Sequence, residues 1–572
     1  MAQIAAPRFA LRLPRAGLGQ LAFLALIAAF AFYLIYPLLL IIVNSFNTSR
    51  IGQVPVYGLG AWAQAWSTPG IMQSLWNTLS VAFWYQLLSL PIGVLLAWVL
   101  ARTNIPWARG IEFLFWLSFF IPPLSTTLGW ILLLDPRVGL LNQVAGGAFG
   151  VQAPFNIYSF WGIVWVHLMA HAVSLKVILL TPAFRNMDLA LEEASRTAGA
   201  TTWSTFLRVT LPIMTPALVI VFLLGLVRLF ESFEIELLLG MPFGFFVYST
   251  KIVDLVRNDP PRLGEASALG SITLLLLLVA APVQRWLTTR HEYTTVTGRM
   301  RPGLIDLGAW RWPVFAAVLA VGCMLVAVPL ISVTAASLMT RFGFFDLPQP
   351  WTLANWQRTL TDSTFLRSLR NTLLIAGIAA ILGPLVFALV AYLIVRARLW
   401  GRSLLDVILW VPSVIPGALA GLGLLWMFLG TPLFQPMYGT IFLLVIATVM
   451  GGVTLSTQIL KATILQLGRE LEEGSRMSGA SWLGTFVRIV LPLLAPTLIV
   501  VATLKFLFAA SNASTIILLA NSDTRTLSLA TLDYVGEGLR ESAAVTTLII
   551  TLLTTGLAVI ARSLGLNLGI RT

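Results

Sequence analysis

Residues 191–212 read LEEASRTAGATTWSTFLRVTLP, and residues 471–492 read LEEGSRMSGASWLGTFVRIVLP. The two stretches lie 280 positions apart and are identical at 12 of 22 positions. Both are polar and charged, whereas the sequence around them is strongly apolar. A long segment that recurs once in a chain indicates an internal repeat. We therefore expect a fold built from two similar halves.

The composition indicates a membrane protein. The chain has 572 residues, of which 58% are apolar and 10% charged, whereas a soluble domain carries about 25% charged residues. Many apolar stretches reach roughly 20 residues, enough to cross a bilayer core of about 30 Å. The net charge of +13 does not indicate nucleic acid, because the arginines are spread over loops. The single cysteine, Cys323, excludes an internal disulfide.

Twelve apolar segments are predicted to be transmembrane helices, and we number them spans 1 to 12. They lie near 18–43, 75–100, 111–134, 157–180, 213–239, 266–288, 313–338, 369–395, 403–429, 438–464, 493–519 and 541–566. The first follows a basic N-terminus that imitates a signal peptide, but its apolar run is too long for one. Most Lys and Arg fall in segments that are cytoplasmic if the N-terminus is inside, which predicts cytoplasmic N- and C-termini.

The halves correspond beyond the duplicated stretch. YPLLLIIVNSF from Tyr36 is similar to VPLISVTAASL from Val328, and FFIPPL is similar to WVPSVIPG. Because each half has an even number of spans, both have the same orientation, and a pseudo-two-fold axis runs along the membrane normal. The prediction is an all-α polytopic protein of two parallel six-helix repeats, 1–290 and 313–572. A cytoplasmic linker, 291–312, joins them.

Each duplicated stretch predicts a short helix, a turn and a second helix. Residues 187, 191, 194 and 198, and likewise 467, 471, 474 and 478, fall at helical spacing and form a narrow face. Small residues on that face allow another backbone to come close. Charged residues surround the face: Glu192, Glu193, Arg196, Glu472, Glu473 and Arg476. An ordinary amphipathic loop is the alternative, which the duplication disfavours.

Glycine and proline set the ends of these predicted helices. Gly199 and Gly479 are expected to stop the first helix of each stretch in a left-handed conformation. Pro212 and Pro492 are expected at the start of the following span.

These residues resemble the EAA loop of binding-protein-dependent ABC importer permeases. The pattern E-A-A, Gly and I-x-L-P corresponds to Glu193-Ala194-Ser195, Gly199 and Leu211-Pro212. In the second copy it corresponds to Glu473-Gly474-Ser475, Gly479 and Leu491-Pro492. Serine replaces the second alanine in both copies, glycine replaces the first alanine in the second copy, and Val209 replaces the isoleucine in the first copy. The resemblance places the first EAA loop at 185–212 and the second at 465–492, one in each of two permease domains.

The resemblance implies a type I fold and several partners. Each EAA loop would dock one copy of a cytoplasmic ATPase subunit, and a periplasmic or lipid-anchored binding protein would deliver solute to this inner-membrane permease. The residues implied in coupling are Glu192, Glu193, Ala194, Arg196, Gly199, Pro212, Glu472, Glu473, Gly474, Arg476, Gly479 and Pro492. None of the four lysines follows a glycine, so the chain has no Walker A loop. ATP and Mg would be used by the partner subunits, and no catalytic residue or bound cofactor is predicted here.

The segment from Arg228 to Ile252 resembles fused permeases of the ferric-iron type, a group that includes thiamine, polyamine and 2-aminoethylphosphonate relatives. Ferric iron is the expected solute, and the other three remain alternatives. A 12-span carrier driven by an ion gradient and a channel are rivals of another class, but neither has reason to contain paired EAA loops.

Charged residues inside span 5 are candidates for the translocation path. Arg228, Glu231 and Glu234 fall at i, i+3 and i+6, and charges at membrane depth face water or one another. An Arg–Glu pair that only orients the helix is the alternative. His167 and His171 in span 4 share a helix face, but the second half offers Ala447 and Gly451 there. We therefore predict hydrogen bonding to neighbouring helices rather than a metal site.

Overall fold

The computed structural model describes residues 17–49, 53–229, 232–289, 304–397 and 399–563. Within these ranges the protein is helical, and β structure is confined to isolated bridges such as Asn47 with Tyr57 and Met339 with Trp351. These two bridges follow spans 1 and 7 and so occur at corresponding places in the two halves. Most of the predicted linker, residues 291–303, lies outside the described ranges.

Each predicted span corresponds to a helix or a pair of helices in the described part of the chain, although the span 11 helix ends at Ser511 rather than near 519. Spans 1, 2, 4, 5, 7, 8 and 12 are unbroken: Gly19–Asn44, Ile71–Arg102, Phe160–Arg185, Thr202–Leu226, Gly308–Leu338, Ser363–Arg396 and Arg540–Ser563. Span 6 is the helix Leu263–Thr289. Spans 3, 9, 10 and 11 each consist of two helices joined at a sharp bend. The described residues therefore hold 7 helices with the length and hydropathy expected of a span, or up to 11 if each bent pair counts as one span. The pairs are Ala108–Phe120 with Pro123–Leu134, Arg402–Val414 with Gly417–Gly430, Ile441–Met450 with Val453–Gln466, and Trp482–Leu493 with Ala495–Ser511.

Spans 3 and 9 bend sharply at equivalent places, by 100° and 113°. In each, an isoleucine with extended backbone precedes proline: Ile121 has ψ 122° and Ile415 has ψ 117°. A residue before proline is disfavoured in the helical region, because the proline ring clashes with its backbone. The prolines that mark the sequence repeat therefore also set the matching bends.

Span 5 differs from its predicted bounds of 213–239. Its helix already begins at Thr202, and the side chain of Thr201 caps this N-terminal end. The described part of the helix includes the segment Leu211–Leu229. Pro212 therefore lies inside the helix rather than at its start, and Pro492 has the same position in span 11. A π-helical turn precedes each proline, Phe206–Thr210 and Phe486–Val490. The wider turn accommodates a residue that has no N–H to donate.

Shorter helices connect the spans. Two of them, Leu189–Thr197 and Glu470–Met477, form the EAA loops. The others in the described residues of eight or more are Gly60–Ser67, Leu140–Phe149, Tyr248–Arg257, Ala354–Thr361 and Leu527–Gly536. A six-residue helix, Glu234–Leu239, follows span 5.

The two main hydrophobic cores exchange their first helices. Span 1 buries Ile27, Leu34 and Ile41 in a core formed largely by residues 375–529 of the second half. Span 7 buries Val318 and Val333 in a core formed largely by residues 81–239 of the first half. Each half therefore completes its core with a helix from the other half.

Glycines allow these exchanged helices to approach closely. A Cβ added at Gly129 in span 3 would lie 2.8 Å from the backbone of Pro329 in span 7. A Cβ added at Gly423 in span 9 would lie 2.7 Å from the carbonyl oxygen of Pro37 in span 1. Real Cβ atoms do not approach backbone so closely, so neither site accepts a side chain without movement of a helix.

A polar contact also joins the two halves at the end of span 3. The Tyr158 hydroxyl and the Arg540 guanidinium each donate to the Asp135 carboxylate at 3.2 Å. Burial raises the pKa of the Tyr158 phenol to about 12, so the phenol stays protonated and remains a donor at neutral pH. The start of span 12 is thereby fixed to the first half.

The helix contact predicts that Gly423→Ala destabilises the protein by ~1–3 kcal/mol, the usual cost of overpacking a tight interface. Thermal unfolding in detergent measures the effect. The control is Gly556→Ala in span 12, where an added Cβ meets nothing within 4 Å. Because alanine favours helix over glycine by about 1 kcal/mol, the control should be neutral or slightly stabilising. An equal effect of both substitutions would contradict the proposed close approach.

Candidate functional site

The two EAA loops end in the same local structure. In the first, the Asp188 side chain accepts a hydrogen bond from the Ala190 N–H at 3.0 Å and caps the helix. The helices end before Gly199, with φ +88°, and Gly479, with φ +84°. The left-handed conformation predicted for both glycines is confirmed, and it lets the chain turn sharply into spans 5 and 11.

A buried ion pair anchors the first loop helix. Arg102, the last residue of span 2, lies 2.7 Å from Glu192, and each side chain is 1% exposed. The other carboxylate oxygen accepts from the Thr210 hydroxyl at 2.7 Å, and Arg102 also donates to the Met187 carbonyl oxygen. Glu192 was predicted to surround the exposed face, but it points into the protein and ties the loop to spans 2 and 5.

The second loop helix has a corresponding anchor that is less deeply buried. Arg396, the last residue of span 8, lies 2.9 Å from Glu472, whose side chain is 14% exposed. The Tyr392 hydroxyl donates to the same carboxylate at 2.8 Å. Arg396 also donates to the carbonyl oxygens of Ile464 and Leu467. Both anchors therefore join an EAA loop to the end of the second span of its own half.

The serines that depart from the EAA pattern have a structural partner. The Ser195 and Thr205 hydroxyl oxygens lie 3.0 Å apart, and those of Ser475 and Thr485 lie 3.0 Å apart. Alanine in place of either serine would remove this hydrogen bond between the loop helix and the start of the next helix. In both copies, the serine that departs from the motif thus has a threonine partner ten positions later in the sequence. The motif alone did not reveal this pairing.

The opposite face of each loop helix is uncovered. In the first, Leu191, Ala194 and Ala198 are exposed, as are Glu193 and Gly199. In the second, Leu471, Gly474 and Ser478 are exposed, together with Glu473, Arg476 and Gly479. Arg196 is half-buried.

The predicted narrow face is wrong at its first position in the first loop, because Met187 is buried beside the anchor. Leu467 is half-buried at the corresponding position of the second loop. The exposed residues that remain on each narrow face have mostly small and partly apolar side chains, which suits close contact with another protein.

A cavity of about 800 Å³ lies between the halves. Its wall includes both bends, with Pro122 and Pro123 from span 3 and Pro412 and Ile415 from the bend of span 9. Other lining residues come from spans 4, 5, 10 and 11. The two halves therefore border a common internal space.

The translocation-path residues are only partly described. The described part of the span-5 helix reaches Leu229, and Ser232 and Phe233 are not helical, so Glu234 does not continue the helical phase of Arg228 and the i, i+3, i+6 interpretation is wrong. Phe233, with φ −151° and ψ −54°, separates the two helices. Glu234 begins the next helix, lines the cavity and accepts a hydrogen bond from the Ala513 N–H at 3.4 Å. The side chain of Arg228 and all of Glu231 lie outside the described residues.

Sequence reasoning did not assign a partner to Glu236, which the structure pairs with His167. Nε2 of His167 lies 2.8 Å from the Glu236 carboxylate, and Ser232 donates to the same carboxylate at 2.5 Å. The hydrogen bonding predicted for His167 is confirmed. His171 lines the cavity and packs against Phe119. Among the described residues, no group of three or more His, Cys, Asp and Glu side chains is placed to hold a metal ion.

Comparisons with known proteins agree with these features. Residues 381–567 match the family described as "Binding-protein-dependent transport system inner membrane component". A putative ferric transport system permease of Haemophilus influenzae is 28% identical over 520 residues, 88% of this chain and 78% of the relative. A ferric transport system permease of Actinobacillus pleuropneumoniae is 27% identical over 524 residues, which are 90% of this chain and 74% of the relative. A probable ABC transporter permease of Sinorhizobium fredii is 26% identical over 87% of this chain and 88% of the relative.

One solved structure is similar over about half of the chain. It is a bacterial alginate ABC transporter in complex with an alginate pentasaccharide-bound periplasmic protein. The match has 20% identity and a TM-score of 0.41, and it covers 49% of this chain and 96% of that chain.

The two anchors predict unequal sensitivity. Glu192→Gln leaves the Arg102 charge buried without a counter-charge, which costs ~3–5 kcal/mol. Glu472→Gln should cost less, because its site is partly hydrated and Tyr392 and the carbonyl contacts of Arg396 remain. Thermal unfolding in detergent should rank the variants in that order. The double variant Arg102→Met/Glu192→Met should recover most of the loss, and failure to recover would argue against an isolated buried charge as the cause.

Proposed function

We propose that this chain, a permease subunit of a binding-protein-dependent ABC importer and a multi-pass protein of the inner membrane, carries ferric iron across that membrane. The observation that carries the importer class is the pair of anchored EAA helices, each with an uncovered face, together with a cavity between the halves. A gradient-driven carrier or a simple channel has no use for two such docking helices.

Two copies of an ATPase subunit are the partners proposed for these faces. ATP and Mg would be used by those subunits, and this chain would not itself be an enzyme, since no lysine follows glycine in the sequence. A periplasmic or lipid-anchored binding protein would deliver the solute to the opposite side. We place both termini and both EAA loops in the cytoplasm, on the distribution of Lys and Arg.

The anchors suggest how movement reaches the cavity. Each EAA helix is joined by its glutamate to span 2 or 8, and it leads through one glycine turn into span 5 or 11. A displacement of the helix therefore moves two spans of the same half together. With 1–290 and 313–572 acting as the two permease domains, closure of the ATPase pair would rotate the halves and switch the access of the cavity between sides.

The ferric substrate rests on the relatives and on the charge of the cavity. Two relatives named as ferric transport permeases align with about nine-tenths of the chain. Asp406 in the cavity wall is paired with Lys461 at 2.5 Å, and Glu236 is paired with His167. Glu234, by contrast, is contacted by backbone N–H groups, among them those of Ala513 and Ser514, and it forms no ion pair among the described residues. In its ionised form this carboxylate would attract a cation.

The coupling assignment predicts that Gly474→Trp abolishes binding of the ATPase subunit and lowers ATP-driven uptake at least tenfold. Gly474 has a helical backbone and nothing within 4 Å of an added Cβ, so the indole enters the docking face without straining the fold. Co-purification with the ATPase and uptake into proteoliposomes are the measurements. Gly147→Trp, at an equally open helical glycine of the loop between spans 3 and 4, should leave ATPase binding intact.

Normal ATPase binding by Gly474→Trp would remove the docking assignment. The same preparation checks orientation in a Cys323→Ala background. A cysteine at position 476 should react with a membrane-impermeant thiol reagent only when the cytoplasmic side is exposed.

The substrate assignment predicts that Glu234→Gln lowers ferric-iron uptake about tenfold, equivalent to ~1.4 kcal/mol, while folded yield is unchanged. Uptake of radioactive ferric iron by proteoliposomes that contain the binding protein and the ATPase measures this. Glu537→Gln, which removes an exposed carboxylate remote from the cavity, is the control. Uptake of thiamine, a polyamine or an organophosphonate instead of iron would replace the substrate while leaving the importer class intact.

A further inference from the structure

Lys505 in span 11 occupies an unusual position in the cavity wall. Its side chain is 3% exposed, and its ammonium group donates to the carbonyl oxygens of Thr448 at 3.1 Å and Val449 at 3.0 Å. It also donates to the carbonyl oxygen of Gly451. An ammonium has three N–H donors and no acceptor, so these three acceptors from span 10 match its full capacity.

The three carbonyls belong to the break in span 10. The helix Ile441–Met450 ends there, and the chain turns by 52° before Val453–Gln466 begins. Gly452 has φ +79°, a conformation that permits the turn. The last carbonyls of a helix have no partner within it, and they carry the negative end of the helix dipole. A cation is the complementary group, and span 11 supplies it.

The path of the lysine stem is also shaped for it. A Cβ added at Gly383 in span 8 would lie 3.4 Å from Cε of Lys505, and the ammonium lies 5.6 Å from the centre of the Phe387 ring. A bulkier residue at Gly383 would crowd the stem. Span 8 therefore leaves room for the lysine to reach from span 11 to span 10.

The first half is built differently at the matching place. The residue 280 positions before Lys505 is Gly225, and the Gln86 amide donates to the Phe222 carbonyl oxygen at 2.6 Å nearby. Span 4 continues from Phe160 to Arg185 without a sharp bend. A lysine that clamps a broken helix is thus a feature of the second half only, in the part of the chain that the structure describes.

Span 11 also follows directly from the second EAA helix. That helix ends at Met477, Gly479 turns the chain, and Trp482–Leu493 and Ala495–Ser511 follow. Movement of the loop therefore reaches Lys505 through continuous backbone. Thr448, Gly451 and Gly452, which surround the clamp, line the cavity.

We propose that Lys505 is a positioning residue for transport, whose ammonium clamps the broken span 10 to span 11 so that both move as one wall of the cavity when the second EAA helix is displaced. The proposal rests on the ABC importer function, but not on ferric iron as the solute. It also assigns an asymmetry to the two halves, because the first-half wall moves without such a clamp.

The test is chemical rescue of Lys505→Ala, compared with Lys251→Ala. Lys251 pairs with Asp254 at 2.7 Å outside the spans. In proteoliposomes with the ATPase and the binding protein, Lys505→Ala should lower uptake at least tenfold while ATP hydrolysis continues. n-Propylammonium replaces the missing stem and charge, so it should restore uptake several-fold, whereas 1-propanol should not. Lys251→Ala should transport normally and respond to neither compound.

Normal uptake by Lys505→Ala would overturn the proposal. Uptake and hydrolysis that fall together and are not restored by propylammonium would also overturn it, since the lysine would then serve only the fold. If Lys505→Ala does not accumulate, Lys505→Met fills the space without donors and should be uncoupled and insensitive to propylammonium. Coupled transport by Lys505→Met would count against the clamp.

A second measurement does not depend on transport. Leu455, in the cavity wall just beyond the break and 45% exposed, is replaced by cysteine in a Cys323→Ala background. Its labelling rate with a hydrophilic thiol reagent should change several-fold when Lys505→Met is added and stay constant with Lys251→Ala. An unchanged rate with Lys505→Met would overturn the clamp. If the unaltered protein shows no ATP-driven uptake with its partners, the proposed function fails, and this labelling result still decides whether the clamp exists.

Discussion

The close approach of backbones at Gly129 and Gly423 is the constraint on which the rest of the architecture depends. It allows spans 7 and 1 to lie against spans 3 and 9, so that each hydrophobic core contains a helix from the opposite half. Halves joined in this way cannot simply move apart. The central cavity can change its access only if the halves rotate or slide against each other while these contacts hold, which is the kind of motion that packed interfaces permit.

Each of the charged groups discussed inside the helical bundle has a defined geometry. Arg102 and Glu192 neutralise each other in a site closed to water, whereas Glu472 keeps a hydroxyl and some solvent. Lys505 is satisfied by carbonyls that a helix break makes available. Such groups are costly in a membrane unless paired, so each marks a place where two helices must keep a fixed relation. These places connect the EAA loops to the cavity.

The sequence predicted the twelve helical segments, the repeat and the two loops, because apolar run length, duplication and glycine position are local signals. It did not predict the partners of the buried charges. Arg102 and Glu192 lie 90 positions apart in the sequence. Lys505 and Thr448 are also far apart in the sequence, and so are His167 and Glu236. No spacing rule connects residues on different helices. Span 5 was misplaced because Pro212 was taken for a helix start, whereas a π turn lets the helix pass through it. The exchange of spans 1 and 7 was invisible because a helix apolar on all sides has no preferred face.

The exchange of first helices has a consequence for biogenesis. Span 1 is synthesised before the second half, yet the core that receives it is formed largely by residues of the second half. Its buried face must remain against lipid or an insertion factor until spans 8 to 10 have been synthesised. Joining both halves in one polypeptide keeps the receiving core tethered to the waiting helix. Two separate chains would have to find each other by diffusion while each exposed an incomplete core.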